Sequence, residues 1–431
     1  MKHYTIPTKL FIKNRKKLAL KLKENSVAII NSSDEMPKSA DQTHKFRQNS
    51  DIFYLTGIEQ EKTILLLCPK CKNRKNREIL FIIKAEKELE IWEGHKLAKE
   101  EATEISGIKN IKFIENFNSI FQEIVFLSET IYLNMNEQTK FSTPVANRDI
   151  RFIEDTKKHF PLHNYKRLAP ILSKLRLQKE PEEIELIQKA CDITTGAFHR
   201  VLKFVKPGVK EYEIEAEITH EFIRNGANGH AYEPIVASGK NNCVLHYVSN
   251  DKTCKDGDLV LMDFGAEYAG YAADTTRTIP VNGKFTDRQK AVYNAVLRVM
   301  KQATKLIKTG TTINKINKKV NRLIEAELVN LGLAKQAEID NKETANTVRI
   351  KYFMHGNSHF MGLDVHDVGT KDTKLKPGMV LSCEPGIYIA EEGFGIRLEN
   401  DILVTETGQT DLLANEPIEI EDIEQLMKHY N

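Results

Sequence analysis

The 431-residue sequence contains little cysteine, tryptophan, glycine or proline, and it has no long apolar run. Its 6 cysteines are scattered along the chain, which excludes a disulfide-stabilised scaffold and predicts reduced thiols. With 22 Gly and 13 Pro, collagen-like and low-complexity chains are excluded. No stretch approaches the ~18 apolar residues of a membrane-spanning helix, and the N-terminus lacks the apolar core of a secretory signal. We therefore expect a folded, cytoplasmic protein without a membrane partner.

The net charge is also small, +3 at pH 7, which does not favour nucleic acid as a partner. Residues 1–172 carry 30 Lys and Arg against 22 Asp and Glu, whereas residues 173–431 carry 33 against 38. The basic cluster from Lys70 to Arg77 lies between two apolar runs and has no aromatic residue that could stack on bases, so we interpret it as a solvated hairpin loop. The acidic second part can concentrate cations.

The pattern of apolar residues changes near residue 170. Before it, short β-like runs at 27–30, 63–67 and 79–83 alternate with polar turns and helical patches, which predicts an α/β domain over residues 1–172. Residues 168–179 are interpreted as a linker.

Residues 173–431 repeat one order of elements twice. Each half has two helical patterns followed by strands, with the helices at 181–205 and 211–225 in the first half and at 286–308 and 312–331 in the second. This order predicts an internally duplicated α+β domain.

Two pairs of acidic residues occupy matching positions of two predicted hairpins. Asp263 and Asp274 are centred between residues 268 and 269, and Glu384 and Glu399 between residues 391 and 392. In a regular hairpin each pair faces across one side of the sheet, with Cβ atoms ~5 Å apart. Either pair alone is more often a solvated surface feature. The apolar strand residues before both pairs indicate burial, and buried like charges are destabilising unless a cation neutralises them.

Three histidines, His355, His359 and His366, lie between the two hairpins. Four carboxylates and one imidazole can balance two divalent cations that share a carboxylate. Oxygen-rich ligation with one nitrogen favours Mn²⁺, and Co²⁺, Zn²⁺ or Fe²⁺ fit the same ligands. Because a two-metal centre activates a bridging water and polarises a carbonyl or phosphoryl oxygen, the residues alone predict a hydrolase and leave its substrate open.

Several motifs resemble those of the Xaa-Pro aminopeptidases (aminopeptidase P), which share a pita-bread catalytic fold with methionine aminopeptidase, prolidase and creatinase. The motifs are the segment 46–57, Leu245-His246-Tyr247, the two hairpins and the three-histidine segment. The resemblance implies an α/β N-terminal domain over residues 1–172, followed over residues 173–431 by an α+β pita-bread catalytic domain of the creatinase/methionine aminopeptidase type. It also implies a metallo-exopeptidase that hydrolyses the bond between a first residue and a following proline, in a homodimer or homotetramer.

The resemblance assigns roles position by position. It implies that five residues bind two metal ions, with Asp274 and Glu399 contacting both: Asp263, Asp274, His359, Glu384 and Glu399. Glu384 is also the implied general base toward the metal-bridging water, which is the nucleophile. His246 and His366 are the implied catalytic donors that orient the peptide and stabilise the oxyanion.

The resemblance also implies substrate-binding residues. His355, Arg397 and Tyr388 belong to the second domain, where His355 contributes to the pocket for the proline ring. Asp41 and Trp92 belong to the first domain, at family positions that close the pocket of an adjacent subunit.

Two alternatives remain open. A prolidase uses much the same ligands but cleaves only Xaa-Pro dipeptides, so it differs in the pocket beyond the proline. A non-catalytic, peptide- or histone-binding pita-bread protein typically lacks metal ligands, whereas all five are present here.

Overall fold

The computed structural model describes residues 6–138 and 143–428, and the contacts within the chain divide it into two compact units. The first unit extends to Arg176 and the second begins at Leu177.

In the described residues, the first unit has eight strands, of which six form one mixed sheet. Its strands are β1 Ser26–Asn31, β2 Pro37–Ser39, β3 Gln42–Thr43, β4 Ile64–Leu67, β5 Glu78–Ile82, β6 Ile111–Phe113, β7 Thr130–Leu133 and β8 Asn164–Arg167. Its helices are α1 Thr8–Ala19, α2 Ser50–Thr56, α3 Lys87–Glu93, α4 Lys99–Ser106, α5 Phe117–Phe126, α6 Arg148–His159 and α7 Ala169–Arg176. The sheet has the order β6-β5-β4-β1-β7-β8, while β2 and β3 form a separate pair. The three strands predicted before residue 84 are confirmed as β1, β4 and β5.

The central strand β1 shows why this sheet forms. Every residue from Ser26 to Asn31 is buried, as expected for a strand covered on both faces. It pairs antiparallel with β4 and parallel with β7. The loop between β4 and β5 connects antiparallel neighbours, which confirms the hairpin predicted for the basic cluster.

The linker predicted at residues 168–179 is wrong for its first part, because α7 occupies Ala169–Arg176. Leu172 is fully buried, and the guanidinium of Arg176 pairs with Asp51 at 2.8 Å. These contacts hold the segment in a helix packed within the first unit, although Pro170 and the charged residues after it suggest a linker in the sequence.

The second unit contains four small sheets and several helices. Its strands are β9 Gly229–His230, β10 Ile235–Ser238, β11 Leu259–Phe264, β12 Ala266–Tyr268, β13 Tyr271–Ala272, β14 Thr275–Pro280, β15 Val380–Cys383, β16 Gly386–Ile389, β17 Phe394–Arg397, β18 Asn400–Val404 and β19 Gln409–Asp411. Its helices are α8 Pro181–Phe204, α9 Glu211–Arg224, α10 Asp287–Leu306, α11 Ile313–Asn330, α12 Gln336–Asp340, α13 Lys342–Tyr352 and α14 Ile420–Lys428. The four predicted helices are confirmed as α8 to α11, whereas α12, α13 and α14 were not predicted, and α14 replaces the strands expected up to the end of the chain.

Local side chains define where the long helices begin. At the start of α10, the Thr286 hydroxyl accepts a hydrogen bond from the Gln289 N–H, and the Gln289 side chain accepts one from the Thr286 N–H. Pro181 begins α8, where its fixed φ suits the first turn. Among the described residues, no helix combines the length and the apolar character that crossing a bilayer requires.

The register of the first hairpin differs from the predicted one. Asp263 faces Thr276 across β11 and β14, so Asp274 is diagonal to Asp263 rather than opposite it. The cause is a two-residue turn at Ala269 and Gly270, whose φ values are 51° and 84°, both in the left-handed region typical of a type I′ turn. The hairpin is therefore centred between residues 269 and 270, one residue later than predicted.

The predicted register of the second hairpin is confirmed. Gly386 pairs with Arg397 in β16–β17, and Cys383 pairs with Asn400 in β15–β18, so both ladders are centred between residues 391 and 392. Glu384 and Glu399 occupy matching positions between the two ladders. A single β-bridge from Thr276 to Glu399 joins the two hairpins at their acidic ends.

Candidate metal centre and active site

Three of the predicted metal ligands form a compact group in the described part of the chain. Asp274, His359 and Glu399 each offer one ligand atom, and these atoms lie within 4.8 Å of one another. Asp274 directly precedes β14 and Glu399 directly precedes β18, so the bridge between Thr276 and Glu399 brings both acids to one place. His359 arrives from the loop after α13, where its N–H donates to the Ser382 hydroxyl at 3.1 Å.

Asp263 and Glu384, the other two predicted ligands, border this group. The Nε2 atom of His359 is 3.3 Å from Asp274 Oδ2 and 3.8 Å from Glu384 Oε1. The Tyr232 hydroxyl lies between Asp263 and Asp274, 2.6 Å from Oδ1 of the first and 2.5 Å from Oδ1 of the second. The structure therefore brings all five side chains together, with a tyrosine hydroxyl among them.

The pKa values of these groups reflect their burial and mutual repulsion. Burial raises the pKa of Glu384 to about 7, and it raises the pKa of Glu399 well above its usual value. The pKa of Asp274 is also raised by burial. Burial alone would lower the pKa of His359, but Asp274 and Glu384 raise it to about 9. Protons or cations must therefore neutralise part of this carboxylate cluster.

Arg397 contacts the group from β17. Its guanidinium pairs with Asp263 and donates hydrogen bonds to the Thr276 and Tyr388 hydroxyl oxygens, each at 3.0 Å. Thr276 in turn donates to Glu399 Oε2 at 2.6 Å. Arg397 thus neutralises an acid of the first hairpin and, through Thr276, helps to orient an acid of the second.

His355 and Tyr388 form a buried wall beside Glu384. His355 Nε2 is 2.8 Å from the Tyr388 hydroxyl, and its Nδ1 is 3.5 Å from Glu384 Oε2. The His355 ring also packs edge-on against Phe353, with centroids 4.7 Å apart. Burial lowers the pKa of His355 to about 3, so this imidazole is neutral at physiological pH. Phe353 and Tyr388 are fully buried, so the half-buried neutral imidazole of His355 is the part of this wall that a ligand can reach.

His246 and His366 are exposed, in contrast to the buried wall. The His366 ring meets the His359 ring edge-on, with centroids 4.4 Å apart. His246 lies close enough to His355 to contribute to lowering its pKa, although burial and Arg397 contribute more. Both histidines are therefore accessible to a ligand that approaches from solvent.

Asp41 and Trp92, the remaining predicted substrate-binding residues, belong to the first unit. Asp41 is exposed between β2 and β3, and Trp92 of α3 is 88% exposed. An exposed tryptophan offers a large apolar surface to a partner or ligand. Their role stays a prediction.

Sequence reasoning missed several residues that support the site. Asp401 is fully buried, accepts the Asp274 N–H at 2.9 Å and lies 3.4 Å from Cys191 Sγ. Arg277 donates to the Glu399 carbonyl oxygen at 2.7 Å. Arg277 lies in the same short motif as Asp274 and could have been singled out there. Tyr232 is 31 residues before Asp263, in a segment with no regular pattern, so no local signal marks it.

The chain matches models of two protein families. The model described as metallopeptidase family M24 matches residues 185–406, and the model described as aminopeptidase P, N-terminal domain, matches residues 11–132. The first match covers the two hairpins and the three-histidine segment.

Characterised proteins are similar over nearly the whole chain. The Xaa-Pro aminopeptidase of Escherichia coli (strain K12) is 37% identical over 431 residues, which cover 97% of this chain and 97% of that protein. The Xaa-Pro aminopeptidase of Haemophilus influenzae is 37% identical, with 98% of each chain covered. The structure of Zn-substituted E. coli aminopeptidase P in complex with product superposes with a TM-score of 0.89 at 35% identity, covering 99% of this chain and 100% of that one.

Proposed function

The chain belongs to metallopeptidase family M24, in its aminopeptidase P branch, and on this basis we propose that it removes the first residue from peptides whose second residue is proline. The predicted fold class, an α/β N-terminal domain followed by a pita-bread catalytic domain, is confirmed by the same matches. The observation that carries the proposed activity is the convergence of Asp274, His359 and Glu399, bordered by Asp263 and Glu384.

These five side chains fit a pair of divalent cations. Four carboxylates and one imidazole meet in a group of which Asp274 and Glu399 are buried and the others half-buried. The cations Arg397 and protonated His359 offset only part of the negative charge. The oxygen-rich donor set with one nitrogen favours Mn²⁺. When bound, such a pair of ions lowers the pKa of a water toward neutrality and polarises the scissile carbonyl oxygen.

Glu384 suits the role of general base. Its carboxyl group, with a pKa of about 7, can accept a proton at neutral pH and return it to the leaving proline nitrogen. Its Oε1 atom faces His359 and its Oε2 atom faces His355, so the carboxyl group lies between the metal ligands and the buried wall.

The buried wall suits a proline side chain. An Xaa-Pro bond has no N–H, and its proline φ is fixed, so the pocket needs an apolar surface for the ring rather than an acceptor for an amide. The half-buried His355 ring provides that surface, and the fully buried Phe353 and Tyr388 support it from behind. The exposed His246 and His366 can donate hydrogen bonds to the scissile carbonyl oxygen as charge develops on it.

We also propose a cytoplasmic location and an assembly of several subunits. All 6 cysteines are free, which fits a reducing cytoplasm. The exposed Trp92 and Ile91 of α3 fit a surface that another copy covers, in a homodimer or homotetramer. Light scattering coupled to gel filtration would measure the number of subunits, and a monomeric mass would contradict the assembly.

Peptide hydrolysis tests the activity. We expect the manganese-loaded protein to release alanine from Ala-Pro-Pro, to leave Ala-Ala-Pro intact and to lose activity in EDTA. Cleavage of the dipeptide Ala-Pro without cleavage of Ala-Pro-Pro would instead identify a prolidase. If the protein binds Mn²⁺ but hydrolyses none of these peptides, it is a binding protein and the proposed activity is wrong. Anomalous scattering from a crystal would count and identify the ions.

A further inference from the structure

A buried ion pair lies under the loop that carries His366. Lys179 Nζ is 3.0 Å from Asp367 Oδ2, and both side chains are only 1% exposed. Lys179 lies two residues before α8, whereas Asp367 directly follows His366. Removing two charges from water is costly, so a buried pair of this kind is a poor source of stability, and in some proteins such a pair imposes a specific geometry.

Asp367 closes the loop that runs from Phe360. The Asp367 N–H donates to the Phe360 carbonyl oxygen at 2.8 Å. The same oxygen accepts a hydrogen bond from His359 Nδ1 at 3.2 Å. One carbonyl group therefore joins the two ends of the loop and also orients the His359 ring, which meets the His366 ring at 4.4 Å.

The packing of Gly362 shows that the loop backbone lies directly on the ion pair. A Cβ atom at this position would be 2.2 Å from Asp367 Oδ2 and 2.8 Å from Lys179 Cε. The Gly362 carbonyl oxygen also accepts the Ala272 N–H of the first hairpin at 2.9 Å. The loop is thus enclosed between the ion pair on one side and the hairpin on the other, without space for a side chain.

Hydrogen bonds hold the backbone of Lys179 and of the residue after it in place. Its N–H donates to the Gly378 carbonyl oxygen at 2.8 Å. The next residue, Glu180, is the N-cap of the 24-residue helix α8, and its N–H donates to the Glu183 side chain at 2.9 Å. The start of α8 and the hydrogen bond to Gly378, two residues before β15, therefore determine where the ammonium group lies.

We propose that Lys179 and Asp367 are positioning residues that hold His366 beside His359, in the orientation needed to donate to the substrate carbonyl oxygen. Their catalytic effect rests on the proposed function of His366, but the placement of the His366 ring does not.

A variant that removes both charges tests the proposal. Lys179→Met with Asp367→Leu replaces the pair by apolar side chains, a change that buried ion pairs often tolerate without unfolding. We expect kcat on Ala-Pro-Pro to fall about 10- to 100-fold with little change in KM. Asp367→Asn, which keeps the shape and an acceptor for Lys179, should retain more activity than the apolar double variant and covers the case in which that variant does not fold.

A double-mutant cycle separates positioning from a general structural effect. In a His366→Ala background, removing the pair should lower kcat no further, because the pair acts through that ring. The matched control is Lys301→Met with Glu419→Leu, which removes an exposed ion pair of the same unit and should leave kcat unchanged. If removing the pair lowers kcat by the same factor with and without His366, the two effects are independent and the proposal is wrong.

A spectroscopic measurement on the metal-free protein does not depend on the activity. The imidazole NMR signal of His366, assigned by its loss in His366→Ala, should shift or broaden in the apolar double variant, while that of His159, in α6 of the first unit, should not. A shift together with an inactive wild-type enzyme would support the positioning and refute the proposed function. An unchanged His366 signal would refute the positioning alone.

Discussion

At the scale of single residues, Glu384 combines the two properties that a proton-transferring ligand needs. It lies 3.8 Å from His359, within the group of candidate metal ligands, and burial raises its pKa to about 7. An exposed glutamate would be ionised at every physiological pH and would be a much weaker base. In the metal-free protein, burial is therefore what brings the pKa of this carboxyl group close to neutral pH.

Glu384→Gln tests this role directly. We expect kcat on Ala-Pro-Pro to fall about 10²- to 10⁴-fold, because the amide keeps the shape but cannot accept the proton. Glu406→Gln, on an exposed turn of the same unit, is the matched control and should leave kcat unchanged. Steady-state kinetics at saturating Mn²⁺ measures both, and a Glu384→Gln enzyme with wild-type kcat would refute the assignment.

Asp149 provides a residue-scale prediction in the first unit. Burial, more than any other cause, raises its pKa from 3.8 to about 7, although Asn31 donates to it at 3.1 Å. The folded state then binds a proton more tightly than the unfolded chain, so the associated stability is fully present below pH 3.8 and is lost as the pH rises through about 7.

We therefore expect Asp149→Asn to raise the Tm at pH 8, by roughly 2–4 °C for each kcal/mol of the cost of burying the ionised carboxylate that it removes. At pH 3.5 we expect no increase in the Tm. Thermal unfolding followed by circular dichroism at the two pH values measures the difference. Asp155→Asn, an exposed aspartate of the same helix, serves as the control. Equal shifts at both pH values would show that the charge of Asp149 is not the cause.

At the scale of elements, the first hairpin depends on a close backbone approach at Gly265, between β11 and β12. A Cβ atom there would lie 1.8 Å from the Ala273 carbonyl oxygen and 3.2 Å from the Asp274 backbone nitrogen. Since both contacts are to backbone, no side-chain rotation can relieve them. The glycine therefore allows the chain to bring Asp274 beside Asp263.

Gly265→Ala should lower the free energy of unfolding by about 1–3 kcal/mol or more and weaken Mn²⁺ binding, because the hairpin must shift to make room. Gly408→Ala is the matched control, since a Cβ atom there meets nothing within 4 Å. Chemical unfolding and calorimetric Mn²⁺ titration measure the two effects. Tight Mn²⁺ binding by a stable Gly265→Ala protein would contradict this account of the hairpin.

The two hairpins show what the sequence could and could not predict. The second register was predicted because Glu384 and Glu399 are symmetric about their turn. The first was displaced by one residue because Ala269 adopts a φ of 51°, a conformation that a sequence suggests for glycine or asparagine rather than alanine. Local patterns thus located the acidic residues, but an unusual turn residue determined their pairing.

Contacts between distant residues account for the rest of the site. Tyr232 and Asp401 contact candidate metal ligands only through the tertiary fold, and Lys179 contacts Asp367 in the same way. The sequence pattern around each of these residues does not indicate such contacts. The resemblance supplied the candidate residues for contact with the substrate. It did not supply those that support them, because a motif records sequence neighbours and not the side chains packed behind them.

At the scale of the whole molecule, we expect the group of candidate metal ligands to make the stability of the protein depend on pH. Burial raises the pKa of Glu384 from 4.5 to about 7, and the pKa of His359 rises from 6.5 to about 9 because its acidic neighbours outweigh burial. Both folded-state values exceed the unfolded ones. Their stabilising contribution in metal-free protein is therefore complete below about pH 4.5 and is lost as the pH rises through about 9.

We expect the Tm of EDTA-treated protein to fall between pH 5 and pH 9, and added Mn²⁺ to restore it by an increasing amount as the pH rises, since protons compete with the metal. Differential scanning fluorimetry at a series of pH values with and without Mn²⁺ measures both trends. Recovery that is larger at pH 5 than at pH 9 would contradict the assignment of these residues as ligands.

The fully buried contact between Arg277 and Glu416 has a consequence for how the enzyme is made. The Arg277 Nε and Glu416 Oε1 atoms are 3.2 Å apart, and the same guanidinium supports the backbone at Glu399. A ribosome that has translated both hairpins but not yet residue 416 carries a chain in which Arg277 has no carboxylate to neutralise it. We therefore expect the backbone at Glu399 to reach its folded position only after the segment that carries Glu416 has been synthesised.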